Sequence, residues 1–259
     1  MERAGAKPSH SSARKKRRRL KGLAVKDGLV RHPFDLENDV RTSGLVAGRD
    51  LALGKGSGRY ATAYYAVAPS VFQSMIVRWR RCTPIAPIDE FTLIDVGAGM
   101  GRAMLLAALH PFKAVLGVEL HPALARIARR NLALWRGRGR SCAPTRLRCQ
   151  DAATFKLPPG PCVTFLFNPF AGPVMRAVLR AWSRQLEREP RPFDLLYVNN
   201  EQEQVIERQA GFKRLFRGQV RRTHADSVAD RRILTSQPGG EYAAMDWEDC
   251  SIYRWTGSQ

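Results

Sequence analysis

An α/β fold with a Rossmann-like, doubly wound, mostly parallel sheet is the architecture this chain predicts. Three observations lead to it. Short, continuously apolar segments recur from residue 91 onward, and stretches with apolar residues at every third or fourth position fall between them. The first apolar segment runs into a glycine-rich turn, "DVGAGMG". Strands that are apolar on both faces belong in a parallel sheet covered by helices on each side. Alternation of such strands with helices implies right-handed crossovers.

The elements follow in order. Residues 1–26 hold ten Lys/Arg and one acid, so a disordered basic tail is expected there. This segment is too polar to read as a secretory leader. Residues 32–65 are rich in Gly, Asp and Ser with poor periodicity, which predicts an irregular arm. Pro69 then opens a helix, "PSVFQSMIVRW", with Val71, Met75, Ile76 and Trp79 on one face. "FTLIDVGA", "AVLGVEL", "TRLRCQ", "CVTFLFN" and "FDLLYVN" read as five strands. Two amphipathic helices lie among them: one carries Leu124, Ile127, Ala128, Leu132 and Trp135, the other Val174, Val178, Leu179, Trp182 and Leu186. Beyond Gly211, "FKRLFRG", "RRILTS" and "CSIYRW" read as three further strands joined by polar loops.

Composition narrows the function classes. No apolar run reaches the roughly 18 residues of a membrane span, so no membrane partner is expected. Five cysteines without a CxxC pair, and scattered histidines without HExxH, fit a reduced, cytoplasmic protein with no metal site. The net charge is +20, of which about +9 lies in residues 1–26, and arginine outnumbers lysine 34 to 9. A basic surface favours nucleic acid or acidic partners.

The glycine turn carries the first chemistry. Gly97, Gly99 and Gly101, with Ala98 between them, are spaced G-x-G-x-G where strand meets helix. Glycine permits the sharp turn and lets a ligand approach the backbone. A dinucleotide fingerprint needs G-x-G-x-x-G, and its third position here is Arg102. A phosphate-cradling G-x-x-x-x-G-K-[ST] is absent from the sequence. Three acids accompany the loop. Asp95 precedes the first glycine by two residues. Glu119 ends the next strand, where an acid can accept from ribose hydroxyls, and Asp151 ends the third, where it can accept from an adenine amino group.

This constellation resembles the class I S-adenosylmethionine-dependent methyltransferases over roughly residues 91 to 200. The resemblance implies S-adenosyl-L-methionine as cofactor. It implies that Asp95 helps hold the methionine end, that Gly97, Ala98, Gly99 and Gly101 pass beneath it, and that Glu119 grips the ribose, with Asp151 on the adenine side. Residues 85–259 would form the methyltransferase domain. Residues 27–84 look like the arm of bacterial methyltransferase-domain proteins, which in relatives lies as a lid over the cofactor pocket.

The fourth strand ends in Asn168-Pro169-Phe170-Ala171. An amide there offers both a donor and an acceptor to an amine. The stretch is similar to the Asn-x-Phe-Ala of non-SET histone lysine methyltransferases. It is one proline short of the [DNS]-P-P-[YFW] of nucleic-acid amino-methyltransferases. The resemblance therefore implies methyl transfer to a nitrogen at Asn168, Pro169 and Phe170, on a protein lysine ahead of an RNA or DNA base. A non-catalytic cofactor-binding module is the third alternative. Tyr60, Tyr64 and Tyr65 are candidates to line an amine pocket through cation–π contact, with plain packing as the competing role.

Overall fold

The computed structural model describes residues 30–51, 56–236 and 245–257. The tail expected at residues 1–26 lies outside them.

The arm comes first. It contains helix α1 (Pro33–Asn38), strand β1 (Leu45–Val46), the single turn α2 (Gly48–Leu51), a 3-10 turn over Gly56–Tyr60 and strand β2 (Tyr64–Tyr65). β1 and β2 pair antiparallel. Helix α3 (Pro69–Arg81) follows, with proline in its first turn and Val71, Phe72, Met75, Ile76 and Trp79 buried. Each such side chain contributes about 1.5–3 kcal/mol on burial. Trp79 also donates its indole N–H to Asp194 at 2.8 Å, and Arg254 grips the same carboxylate at 2.7 and 3.0 Å.

The αβ layers come next: β3 (Thr92–Val96), α4 (Arg102–Ala107), β4 (Ala114–Glu119), α5 (Pro122–Gly137) and β5 (Thr145–Cys149). Then come β6 (Cys162–Phe167), α6 (Gly172–Arg188), β7 (Phe193–Val198), α7 (Glu203–Glu207), β8 (Phe212–Arg221), α8 (His224–Thr235) and β9 (Trp247–Trp255). The seven-stranded sheet has the order β5-β4-β3-β6-β7-β9-β8. β5 through β7 run parallel, and β9 is antiparallel to both its neighbours. The fold is thus Rossmann-like, doubly wound and mostly parallel.

Helices cover both faces. Leu93, Val163 and Phe165 join α3, α4 and α5 in one core, while Ile94, Val96 and Leu166 join α6 in the other. Every residue of β3 is buried, which is why that strand reads as an unbroken apolar run.

One expected strand is a helix. In "RRILTS", residues 231–235 belong to α8 and Ser236 is its C-cap. Thr223 caps it by accepting from the Asp226 N–H, and the buried residues are Asp226, Ser227, Ala229, Asp230 and Ile233. A helix that buries two carboxylates shows almost no apolar stripe, so Ile-Leu-Thr dominated the sequence signal.

Candidate functional site

The chain winds outward from β3 to β5, then crosses back to β6 beside β3. The reversal opens a crevice at the carboxyl ends of β3 and β6, where open α/β sheets bind ligands. Asp95 pairs in register with Phe165, and Val96 with Leu166. The glycine turn and the Asn168-Pro169-Phe170 stretch therefore leave the sheet side by side.

Their contact is close. Gly97 has φ +77°, and a Cβ built on it would lie 2.4 Å from the Pro169 Cβ. Gly99 has φ +54°, and its Cβ would meet the Tyr64 ring at 2.1 Å. Only glycine meets both demands, a left-handed backbone and no side chain.

A cavity fills the crevice. Asp95, Gly97, Ala98, Glu119, Asp151, Pro169 and Phe170 line it, with arm residues 61–67 against it. Gly99, Gly101, Asn168 and Tyr60 are not among the lining residues. Gly99 instead donates its N–H to Glu119 Oε2 at 2.7 Å, and His121 donates its own to Oε1 at 2.7 Å. Gly101 leads into α4 with φ +89°.

The acids differ in what they have free. Asp95 is 4% exposed, and its Oδ2 has no hydrogen-bond partner. Burial, followed by the Glu119 charge, pushes its carboxyl up to about 8. Burial raises Glu119 too, and the backbone N–H groups of His121 and Gly99 pull it back. A carboxylate has about four acceptor positions, so Glu119 keeps capacity for a ligand. Asp151 gives Oδ1 to the Ala153 N–H at 2.9 Å, capping a 3-10 turn.

The Asn168-Pro169-Phe170 stretch divides two cavities. Pro169 and Phe170 line the first, while Asn168 lines a second, larger one beyond the arm. Ala61, Thr62, Ala63, Tyr65 and Phe167 border both. The arm is stitched to this stretch: Ala61 bridges Phe170, Ala171 donates its N–H to the Tyr60 carbonyl at 3.0 Å, and the Thr62 hydroxyl donates to the Asn168 carbonyl. Asn168 has φ 38°, and its Oδ1 accepts from the Tyr197 hydroxyl at 3.3 Å.

The tyrosines separate. Tyr60 borders neither cavity; its ring lies under Arg59 at 4.7 Å. Tyr64 lines the first cavity but packs on Gly99 and donates its hydroxyl to the Thr42 carbonyl at 2.6 Å. Tyr65 borders both cavities.

Two groups of residues carried no sequence signal. Arg102, 2% exposed, donates to Thr42 Oγ1 at 2.7 Å and Ser43 Oγ at 3.1 Å, with Asp35 at 3.6 Å. Asp35 accepts from the Thr42 and Ser43 N–H groups at 2.6 and 2.7 Å. Arg102, at the third position of the dinucleotide fingerprint, ties the arm to α4 through its side chain. The second group joins Arg222 from the turn after β8, Asp230 from α8 and Glu248 from β9. Among the described residues, no group of three or more His, Cys, Asp or Glu could hold a metal ion, and no helix is long and apolar enough to cross a membrane.

No family model and no curated protein matches the chain. Solved structures do. The chain is similar to the [4+2]-cyclase SpnF at 18% identity, over 73% of this chain and 82% of that one, with a TM-score of 0.48. It is similar to the ribosomal protein L11 methylase from Lactobacillus delbrueckii subsp. bulgaricus at 15% identity, over 71% and 77%, with a TM-score of 0.42. It is similar to the magnesium protoporphyrin IX methyltransferase from Synechocystis PCC 6803, solved with bound S-adenosylmethionine, at 11% identity, over 71% and 79%, with a TM-score of 0.45. These are likenesses of fold, and a fold by itself assigns no chemistry.

Proposed function

We propose that this chain is an S-adenosylmethionine-dependent methyltransferase that delivers the methyl group to a nitrogen. The observation that carries the reading is Asp95. A carboxylate buried at the switch point of the sheet, with one oxygen unpartnered and facing a cavity, calls for a cationic ligand. Of the glycine turn beside it, Gly97 and Ala98 line the same cavity. Glu119 and Asp151 stand at the next two strand ends to accept from ribose and adenine. When bound, the cofactor supplies an electrophilic methyl on a positively charged sulfur.

The chain's own residues do the rest. Asp95 would hold the methionine end, and Glu119 the ribose. Pro169 and Phe170 wall the donor side, and Asn168 presents its amide to the acceptor side. Alignment of the two reactants supplies much of the rate in a displacement of this kind. A protein lysine is the favoured acceptor because of the Asn-x-Phe-Ala spacing. The stripe Arg176, Arg180, Arg184 and Arg188, exposed along α6, favours a nucleic-acid acceptor as the second reading.

Calorimetry with S-adenosylmethionine tests the core of the proposal. Wild type should bind, and Glu119→Ala should lose at least tenfold in affinity. No binding by wild type would sink it. Labelled cofactor with cell lysate then separates the acceptors: label lost to protease marks protein, and label lost to nuclease marks nucleic acid.

A further inference from the structure

The second cavity has a charged floor that the donor site does not use. Arg222, Glu248 and Tyr65 line it, with Asp230 behind them. The Arg222 side chain is 5% exposed and pairs with Glu248 through Nη2. Its Nη1 lies 3.4 Å from Asp230 Oδ2, without hydrogen-bond geometry. Arg222 Nε, both Asp230 oxygens and the Tyr65 hydroxyl are buried without a well-formed partner. Two carboxylates face one guanidinium, and Arg102 and His32 also act on Asp230.

The mouth is different. Arg49, Arg59 and Glu201 line it and are exposed. Charges in solvent are screened, whereas a buried charge acts at short range in low dielectric. Glu248 is the carboxylate of the floor that reaches the cavity, and it offers an acceptor oxygen there.

Three acceptors face the space. Glu248 gives Oε1 to Arg222, and its Oε2 has no protein partner among the described residues. Asn168 and Asn199 end the adjacent strands β6 and β7, both with left-handed backbone, at φ 38° and 49°. Asn199 donates Nδ2 to Glu201 at 3.4 Å, which leaves its Oδ1 open. Asparagine tolerates this conformation, and here it occurs at two adjacent strand ends over one cavity.

The geometry points to this cavity as the site that receives the methyl acceptor as an ammonium cation, with Glu248 taking its proton and Asn199 Oδ1 accepting one remaining N–H. The inference rests on the proposed methyl transfer. The step balances: one N–H bond of the ammonium breaks, an O–H bond forms on Glu248, and the electron pair stays on nitrogen as the lone pair that alkylation requires. Burial raises the Glu248 carboxyl and Arg222 beside it pulls it down, so the group keeps proton affinity while remaining paired.

The test uses the full chain and Nα-acetyl-lysine methylamide as the ammonium probe. Its norleucine analogue, which lacks the nitrogen, and inorganic phosphate serve as comparisons. Binding is followed by backbone amide shifts, and S-adenosylmethionine affinity is measured on the same samples. The ammonium probe should saturate, shifting resonances around Asn199 and Glu248, while neither comparison compound does so. Glu248→Gln and, separately, Asn199→Ala should each weaken the probe at least tenfold and leave cofactor affinity within twofold. Asn199→Ala keeps the charged floor intact, so it stands in if Glu248→Gln fails to fold. Equal probe affinity in the folded variants would overturn the assignment. So would saturable phosphate binding that excludes the probe, which would mark an anion site. Probe binding without cofactor binding would leave this site standing and remove the methyl-transfer reading; cofactor binding without probe binding would do the reverse.

Discussion

Asp95 makes the donor site measurable through protons. Its carboxyl titrates at about 8 in the empty protein, because burial and the Glu119 charge disfavour ionisation. At pH 7, then, roughly nine molecules in ten carry the proton. A cationic methionine end favours the carboxylate, so binding at pH 7 should release about 0.9 proton per site. Affinity should rise about tenfold per pH unit between 6 and 8 and level off above. Calorimetry in two buffers of different ionisation enthalpy reads the proton count directly. The donor's own amine titrates nearby, so Asp95→Asn supplies the reference: it should release no proton and bind at least tenfold more weakly. Stability follows with the opposite benefit. The folded carboxyl lies above its unfolded value of 3.8, so stability present below pH 4 is lost as pH rises through 8. At about 1.4 kcal/mol per unit, the loss is on the order of 5 kcal/mol. Empty Asp95→Asn should therefore melt higher than wild type at pH 8. Zero proton release, or an affinity that is flat from pH 6 to 8, would refute the placement of this carboxylate against a cation.

Other outcomes follow from the same geometry. Gly97→Ala places a methyl against Pro169 at positive φ, a strain of about 1–3 kcal/mol, and should cost at least tenfold in cofactor affinity by calorimetry. Arg102→Met removes the partner of buried Asp35 and should destabilise by about 3 kcal/mol, lowering the melting temperature by roughly 6–12 °C in thermal denaturation. Asn168→Ala should keep cofactor affinity within twofold while methyl transfer to the acceptor falls about a hundredfold; normal turnover would make this stretch purely structural.

The centre of the sheet was legible because β3, β6 and β7 are buried on both faces. "FTLIDV" and "CVTFLF" could not be read as anything else of that length. The amphipathic helices α3, α5 and α6 were equally plain, since their apolar residues share one face. α8 was not, because its inward face carries Asp226 and Asp230, and pattern reading treats acids as surface. The glycine turn and its acids were legible as local signals at strand ends. The charged floor was not. Tyr65, Arg222, Asp230 and Glu248 come from the arm, the turn after β8, α8 and β9, and nothing local in the chain announces that they meet. Tyr60 shows the converse: an aromatic cluster suggested a pocket, and packing placed this ring under Arg59 outside both cavities.

The arm segment 61–65 is a partition with a compartment on each side. Under the proposed function, donor and acceptor occupy separate rooms, with Ala61, Thr62, Ala63, Tyr65 and Phe167 in the wall they share. A spent donor can then be exchanged while the acceptor stays in place. An amine seated there can take a second methyl group before it leaves, so successive methylations of one nitrogen need no new encounter with the protein.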